Sequence, residues 1–336
     1  MFGLILSQLE EHLARREDSS RRTVPFAVDA SRAFPGTQDE LAALLKQVGA
    51  AASDRQSYYS KGTVPVFTQA PSSVTWHTAP ESGRPCLGEA SVEYYPVPGS
   101  EELVIIVPHL NSEPEDYRSM ARALNRVGRS VVRYVLPFHE GATSDRRHAT
   151  DQLVSASLGT TIAAVRQAVS EVGALAAHFQ DRGYRRIHLV GISVGCCIAT
   201  ITAAVAARFD GLCLLLMADD FASVVWRGRA TPHLQAELEG KITLAELQAA
   251  WDLLHPYRYT DLLGDHGTPV LMITGNRDTV MPVDLAENMA RRFRQSGVAL
   301  EWRRYPCGHY TFGLPPFNLA AFKHLLGWLK NGSPSA

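Results

Sequence analysis

From Leu103 onward the chain alternates apolar runs of strand length with stretches of helical spacing, and this alternation restricts the fold more than any other feature. The runs are Leu103 to Val107, Val131 to Leu136, Ile187 to Val190, Leu212 to Met217, Val270 to Thr274 and, more polar, Leu300 to Tyr305. Runs without in-out alternation belong to parallel strands covered on both faces, so an α/β fold with a mostly parallel central sheet is expected. The helices between them are read from spacing. Tyr117, Met120, Leu124 and Val127 recur at three and four after a Ser112 to Glu115 capping box, with Gly128 as the stop. Ile162, Val165, Val169, Val172, Ala176 and Phe179 mark a longer helix from near Leu153 to Asp181. Leu285, Met289 and Phe293 give another, ending at Gly297, and Phe322, Leu325, Leu326 and Leu329 the C-terminal one.

Between Asp219 and Gly267 about fifty residues separate two strands, against roughly 2 to 6 in an ordinary strand-to-helix loop. Thr243 with Glu246 forms a capping box, Leu244, Leu247, Trp251 and Leu254 line one face, and Pro256 is the expected stop. The segment 219–267 therefore reads as a helical cap inserted over the sheet. The first hundred residues are less regular, with Ser, Arg and Pro scattered through Asp18 to Pro35 and short β-like runs at Val64 to Thr68, Ser73 to Trp76 and Ser91 to Tyr95. The expectation is a loose N-terminal arm with peripheral strands over 1–100, and the core over 101–336.

Composition narrows the partners. A chain of 336 residues, 46% of them hydrophobic, can bury a large core. Its 33 Lys and Arg against 34 Asp and Glu give no electrostatic reason to expect nucleic acid or an anionic membrane, which leaves a small molecule. The apolar start Met1 to Leu6 runs at once into Glu10, Glu11, Arg15 and Arg16, unlike a secretory leader, so a chain beginning near Met1 is expected. No stretch reaches the roughly 18 apolar residues of a membrane span. Five cysteines, an odd count with Cys196 and Cys197 adjacent, suggest reduced thiols in the cytoplasm. No His and Cys spacing resembles a metal site and no glycine-rich loop resembles a nucleotide cradle, so no cofactor is expected.

Gly191-Ile192-Ser193-Val194-Gly195 lies between the apolar strand Ile187 to Val190 and a helical run of small residues from Cys196 to Ala207. A serine on so tight a strand-to-helix turn projects its hydroxyl outward, and side chains at the flanking glycines would collide with neighbouring backbone. A serine hydroxyl becomes nucleophilic only when a base accepts its proton, and that imidazole needs an acid on its other nitrogen. Later in the chain Asp278 follows the strand Val270 to Thr274, and His309 follows the strand ending at Tyr305.

These patterns resemble the α/β-hydrolase superfamily over about Leu103 to Trp328. Thr274 to Pro282 is similar to the family's acid loop, and Cys307-Gly308-His309 to its histidine loop. The resemblance implies Ser193 as nucleophile, His309 as base and Asp278 as its orienting acid. It also implies an oxyanion hole formed by the backbone N–H of Val194 and a second donor from Pro108-His109-Leu110-Asn111. There the usual His-Gly pair is replaced, and Leu110 is chosen, with Asn111 as fallback. Within the superfamily the chain looks like uncharacterised bacterial members with an N-terminal extension.

Competing readings accompany several of these residues. Asp219 and Asp220 follow the strand Leu212 to Met217, from which some members supply their acid. Cys196 replaces a common third glycine; a thiol at a helix start is reactive in some settings, while a small packing residue also suits the place. His109, Asn111, His139 and Trp226 are expected near the substrate, the histidines because ligands gather at the carboxyl ends of strands in open sheets. The aromatic and apolar cap, including Phe221, Val224, Val225 and Trp226, suits an apolar pocket or simply the cap's own core. The reading is thus an esterase-like hydrolase of an ester, thioester or amide. Alternatives are acyl transfer or carbon–carbon cleavage by the same residues, and a silent binding protein.

Overall fold

The computed structural model describes residues 2–60, 65–77, 89–113, 115–139, 149–206 and 208–331. Its centre is a nine-stranded sheet in the order β1-β2-β3-β5-β4-β6-β7-β8-β9. The strands are β1 (Phe67–Gln69), β2 (Ser73–His77), β3 (Glu89–Tyr95), β4 (Glu102–Val107), β5 (Ser130–Arg133), β6 (Arg186–Ile192), β7 (Gly211–Leu215), β8 (Val270–Gly275) and β9 (Leu300–Tyr305). From β5 across to β9 every pairing is parallel, and β3, β2 and β1 extend the β5 side antiparallel. All six apolar runs of the sequence form the parallel part. The weak early β-like runs join the same sheet; Val64 lies outside the described residues.

Chain order reverses at β4, which pairs with β5 on one side and β6 on the other. Such a switch point opens a crevice beyond the strands' carboxyl ends, because the following connections leave to opposite faces. Val107 is in register with Gly191, so the loop after β4 and the turn after β6 emerge side by side. Successive β4 side chains divide between two cores. Leu103, Ile105 and Val107 face the helices Leu158–Gln180 and Val194–Val205, while Val104 and Ile106 face Arg118–Arg126 and Phe317–Asn331. This period of two explains why runs that look uniformly apolar build a two-faced layer.

Helix boundaries depart from their sequence signals where tertiary contacts intervene. The helix expected behind Ser112 and Glu115 starts only at Arg118, and its N-cap Tyr117 has φ 64 and makes no side-chain cap. Successive tight turns, with Ser112 N–H donating to His109 and Asp116 N–H to Glu113, use the backbone there first. The long helix starts at Leu158 rather than Leu153, where Asp29 accepts from the N–H of Gly159 and Thr160 and the hydroxyls of Ser157 and Thr160. A carboxylate from a distant segment thus satisfies a helix start.

The inserted segment is helical, with Phe221–Arg227, Pro232–Leu238, Leu244–Ala250 and Thr260–His266 in succession. The Thr243 and Glu246 capping box is present, but its helix ends at Ala250, and Pro256 instead begins a separate short turn. Leu234, Leu238, Leu247 and Trp251 join the core shared with the sheet, so the cap has no separate core. The N-terminal segment is not a loose arm. Phe2–Ser19 forms a helix, α1, and Leu6, Glu10 and Ala14 bury one stripe of it at a spacing of four. Further on, Leu44, Val48, Tyr58 and Tyr59 enter the main core. Among the described residues no helix is long and apolar enough to cross a membrane.

Candidate active site

Ser193 caps the helix Val194–Val205 with φ 56 and ψ −120, a strained conformation that lifts its hydroxyl above the sheet edge. Packing enforces this turn. A Cβ on Gly195 would lie 2.2 Å from the Val107 carbonyl oxygen, and one on Gly191 would lie 2.5 Å from that of Gly195. The glycines are therefore required by the close approach of β4, β6 and the helix.

His309 Nε2 lies 3.1 Å from Ser193 Oγ, and its Nδ1 lies 2.9 Å from Asp278 Oδ2. The other Asp278 oxygen accepts from the N–H of Val280 and of Met281. These bonds orient the carboxylate, which holds the imidazole with its proton on Nδ1 and leaves Nε2 to accept from the serine. Ser193 and Asp278 are 8% and 6% exposed, so the relay is shielded from solvent yet open to a cavity. Burial by itself lowers the His309 pKa, but Asp278, by charge and hydrogen bond, and Glu10 more than offset it and leave the imidazole raised.

The loop after β4 is held by His139. His139 Nδ1 donates to the Pro137 carbonyl at 2.9 Å, so Nε2 is an acceptor, and it takes the Asn111 N–H at 2.8 Å. That N–H is already used. Among the described residues the Leu110 N–H makes no backbone hydrogen bond, and Leu110 lines the same cavity as Val194, whose N–H begins a helix.

The cavity, about 390 Å³, is lined by the apolar Met217, Phe221, Val224, Val225 and Leu234 and by the polar Glu17, Arg21, Asn111 and Asp151. His109 and Asn111 line it, as do Ser193, Val194, Leu110 and His309. The Asn111 amide is engaged on both ends, by Thr150 and Glu17. Two expected substrate contacts are corrected. His139 is 2% exposed and lies beneath the loop it holds, outside the lining. Trp226 also lies outside it, because helical spacing turns Phe221, Val224 and Val225 inward and leaves the next residue to pack against the core's outer side.

The rival residues fall elsewhere. Asp219 bonds not to His309 but to Arg292, and Asp220 caps Phe221–Arg227 by accepting from the Ser223 N–H. The Cys196 thiol is fully buried, points at the Gly191 and Leu215 carbonyls, and is pushed well above its ordinary pKa by burial. It fills space behind the turn and does not narrow the cavity; Cys197 lines the wall instead. Among the described residues no group of three or more His, Cys, Asp or Glu could hold a metal ion.

What sequence reading missed is α1. Glu10 accepts from the histidine loop, Gly3 and Ser7 take the Arg277 guanidinium beside Asp278, Glu17 takes the Asn111 amide, and Asp18 meets cap residue His233 at 2.6 Å. One helix touches the acid loop, the histidine loop, the loop after β4 and the cap. A carboxylate in the Leu6, Glu10, Ala14 stripe was the available signal, since buried carboxylates need partners.

No family model and no curated protein matches the sequence. Sheet order and crossovers nevertheless define the α/β-hydrolase fold, and solved structures share it. An acylaminoacyl peptidase from Pyrococcus horikoshii is similar at TM-score 0.58 and 14% identity, over 74% of this chain and 40% of that one. A thermostable carboxyl esterase from Bacillus coagulans is similar at 0.54 and 12%, over 80% and 98%. A lipase in its open form is similar at 0.53 and 15%, over 82% and 99%. The chain thus spans well under half of the peptidase and nearly all of the other two.

Proposed function

We propose that this chain is a serine hydrolase that cleaves an ester, or a related thioester or amide, through an acyl-enzyme on Ser193. The observation that carries this reading is the unbroken relay from Ser193 Oγ through the His309 ring to Asp278. As Ser193 Oγ bonds to the substrate carbonyl carbon, its proton passes to His309 Nε2, and Asp278 steadies the imidazolium. The carbonyl oxygen takes the negative charge, met by the N–H groups of Val194 and Leu110. Collapse expels the alcohol, which receives the proton from His309. Water then loses a proton to His309 and attacks the acyl carbon, and collapse releases the acid as His309 returns the proton to Ser193 Oγ.

The apolar cap side suits an acyl or alcohol group of small to medium size. The described cysteines are free and buried, which supports a reducing compartment such as the cytoplasm.

The test is covalent labelling with a fluorophosphonate, with p-nitrophenyl esters of graded chain length as substrates. Labelling of wild type and its loss in Ser193→Ala support the reading. Folded wild type that neither labels nor turns over any ester overturns it in favour of a binding protein. Capture of the acyl group by an added alcohol or amine faster than by water would redirect it to acyl transfer.

A further inference from the structure

Three features lie outside the proposed relay: the Asp219 and Arg292 pair under the cap, the exposed Leu314 and Leu319 at the start of the C-terminal helix, and the Glu10 carboxylate beneath the histidine loop. The first two point to no ligand. The third is built from several independent contacts.

Glu10 is 1% exposed, yet its carboxylate lies in the middle of a helical stripe that otherwise buries apolar groups. One oxygen accepts from the N–H of His309 at 2.5 Å, and the two oxygens share the N–H of Tyr310 at 3.1 Å. The second oxygen also accepts from the Thr311 N–H at 3.0 Å and from its hydroxyl at 3.1 Å. Every partner is a donor, which matches an ionised carboxylate that can only accept. The loop is shaped to receive it. A Cβ on Gly308 would lie 2.2 Å from Glu10 Cδ, and the Gly308 N–H donates to the Thr311 hydroxyl that in turn donates to Glu10.

We propose that Glu10 is a positioning residue for the base, a second carboxylate that clamps the turn 309–311 from a helix outside the sheet and keeps the His309 ring in reach of Ser193. This rests on the hydrolase reading above. Asp278 orients the ring; Glu10 orients the backbone that carries it. The groups facing His309 are Asp278 on the loop after β8, Glu10 on α1 and His109 on the loop after β4. The two carboxylates favour the imidazolium formed when Ser193 gives up its proton, and a protonated His109 opposes it. Since α1 also contributes Glu17 to the cavity wall, the clamp joins the base to the chamber that holds the substrate.

The test uses the full chain and two variants, Glu10→Gln and Gly308→Ala. The second places a methyl where the carboxylate sits and displaces it. Two measurements are made: the pH dependence of kcat and KM for a p-nitrophenyl ester, and the titration midpoint of the ¹³C-labelled His309 ring by NMR, which needs no turnover. Neutral His309 is the active base, so activity falls as pH drops through its pKa. Removing a negative charge moves that acid limb to lower pH, by about half a unit in Glu10→Gln. Plateau kcat falls roughly tenfold or more with KM little changed. Gly308→Ala shifts both in the same direction, so a Glu10→Gln protein that does not fold leaves the second variant to decide. An unmoved His309 midpoint, or a plateau kcat that does not fall, overturns the proposal, because a carboxylate clamped on the 309–311 backbone both holds the ring in place and biases its titration. Wild type that turns over nothing, while the midpoint still shifts in Glu10→Gln, instead sinks the hydrolase reading and leaves the clamp.

Discussion

The Asn111 N–H donates to Nε2 of His139 at 2.8 Å, and this one bond ties the loop after β4 to the loop after β5. Asn111 has φ 62, a left-handed conformation that asparagine adopts more readily than most other residues. The consequence falls on the neighbouring Leu110, which lines the cavity and is the proposed second oxyanion donor. The His139 ring, 2% exposed, thus fixes the backbone next to Leu110.

His139→Ala is therefore expected to lower kcat by roughly ten- to a hundredfold, at or below the lower end of the range for losing one oxyanion donor because the Leu110 N–H is displaced rather than removed, while KM for a p-nitrophenyl ester changes little. Steady-state kinetics on the folded variant decide this. An unchanged kcat would remove His139 and Leu110 from the account.

Asp278→Asn and Asp219→Asn separate two carboxylates that follow neighbouring strands. The first should cost about 10⁴ in kcat, because an amide in place of the carboxylate favours the wrong imidazole tautomer. The second should leave kcat within a few-fold, since Asp219 pairs with Arg292 and not with His309.

Asp219 carries a separate expectation for stability. Burial, only partly offset by Arg292, raises its pKa from 3.8 to about 6. The folded state thus favours the neutral carboxyl: this contribution is full below the unfolded value and is lost as pH rises through about 6. Asn is neutral throughout, so Asp219→Asn should raise Tm relative to wild type more at pH 8 than at pH 5. Thermal melts showing an equal difference at both pH values would contradict the burial argument.

Val225 is 2% exposed and forms part of the cap-side wall. Val225→Phe fills that side, so kcat/KM should fall most for the longest acyl chains of a p-nitrophenyl ester series and the preferred chain should shorten. A uniform loss across the series would mean that the acyl group lies elsewhere.

The parallel sheet was legible because its strands are buried on both faces, which writes continuous apolar runs into the chain. Ser193 was legible for a similar reason: strand, glycine, serine, glycine and helix are adjacent along the polymer, and the turn they make is local. The cap was visible as excess length with one capping box. Where signals failed, distant groups had displaced local ones. Asp29 rather than the local run sets where the long helix begins, and the tight turns from His109 to Arg118 displace the apparent capping box at Ser112.

Sequence alone named Ser193, Asp278 and His309 as residue types in suitable loops, together with the six apolar runs that form the parallel strands. Only the tertiary structure decided that their atoms meet, that the Asn111 N–H is taken by His139, and that α1 lies against the site. The physical reason is one of range. Backbone conformation and burial repeat with a period that neighbouring residues reveal, whereas Glu10 and His139 act through hydrogen bonds to backbone groups far along the chain, and a backbone N–H leaves no mark in the sequence.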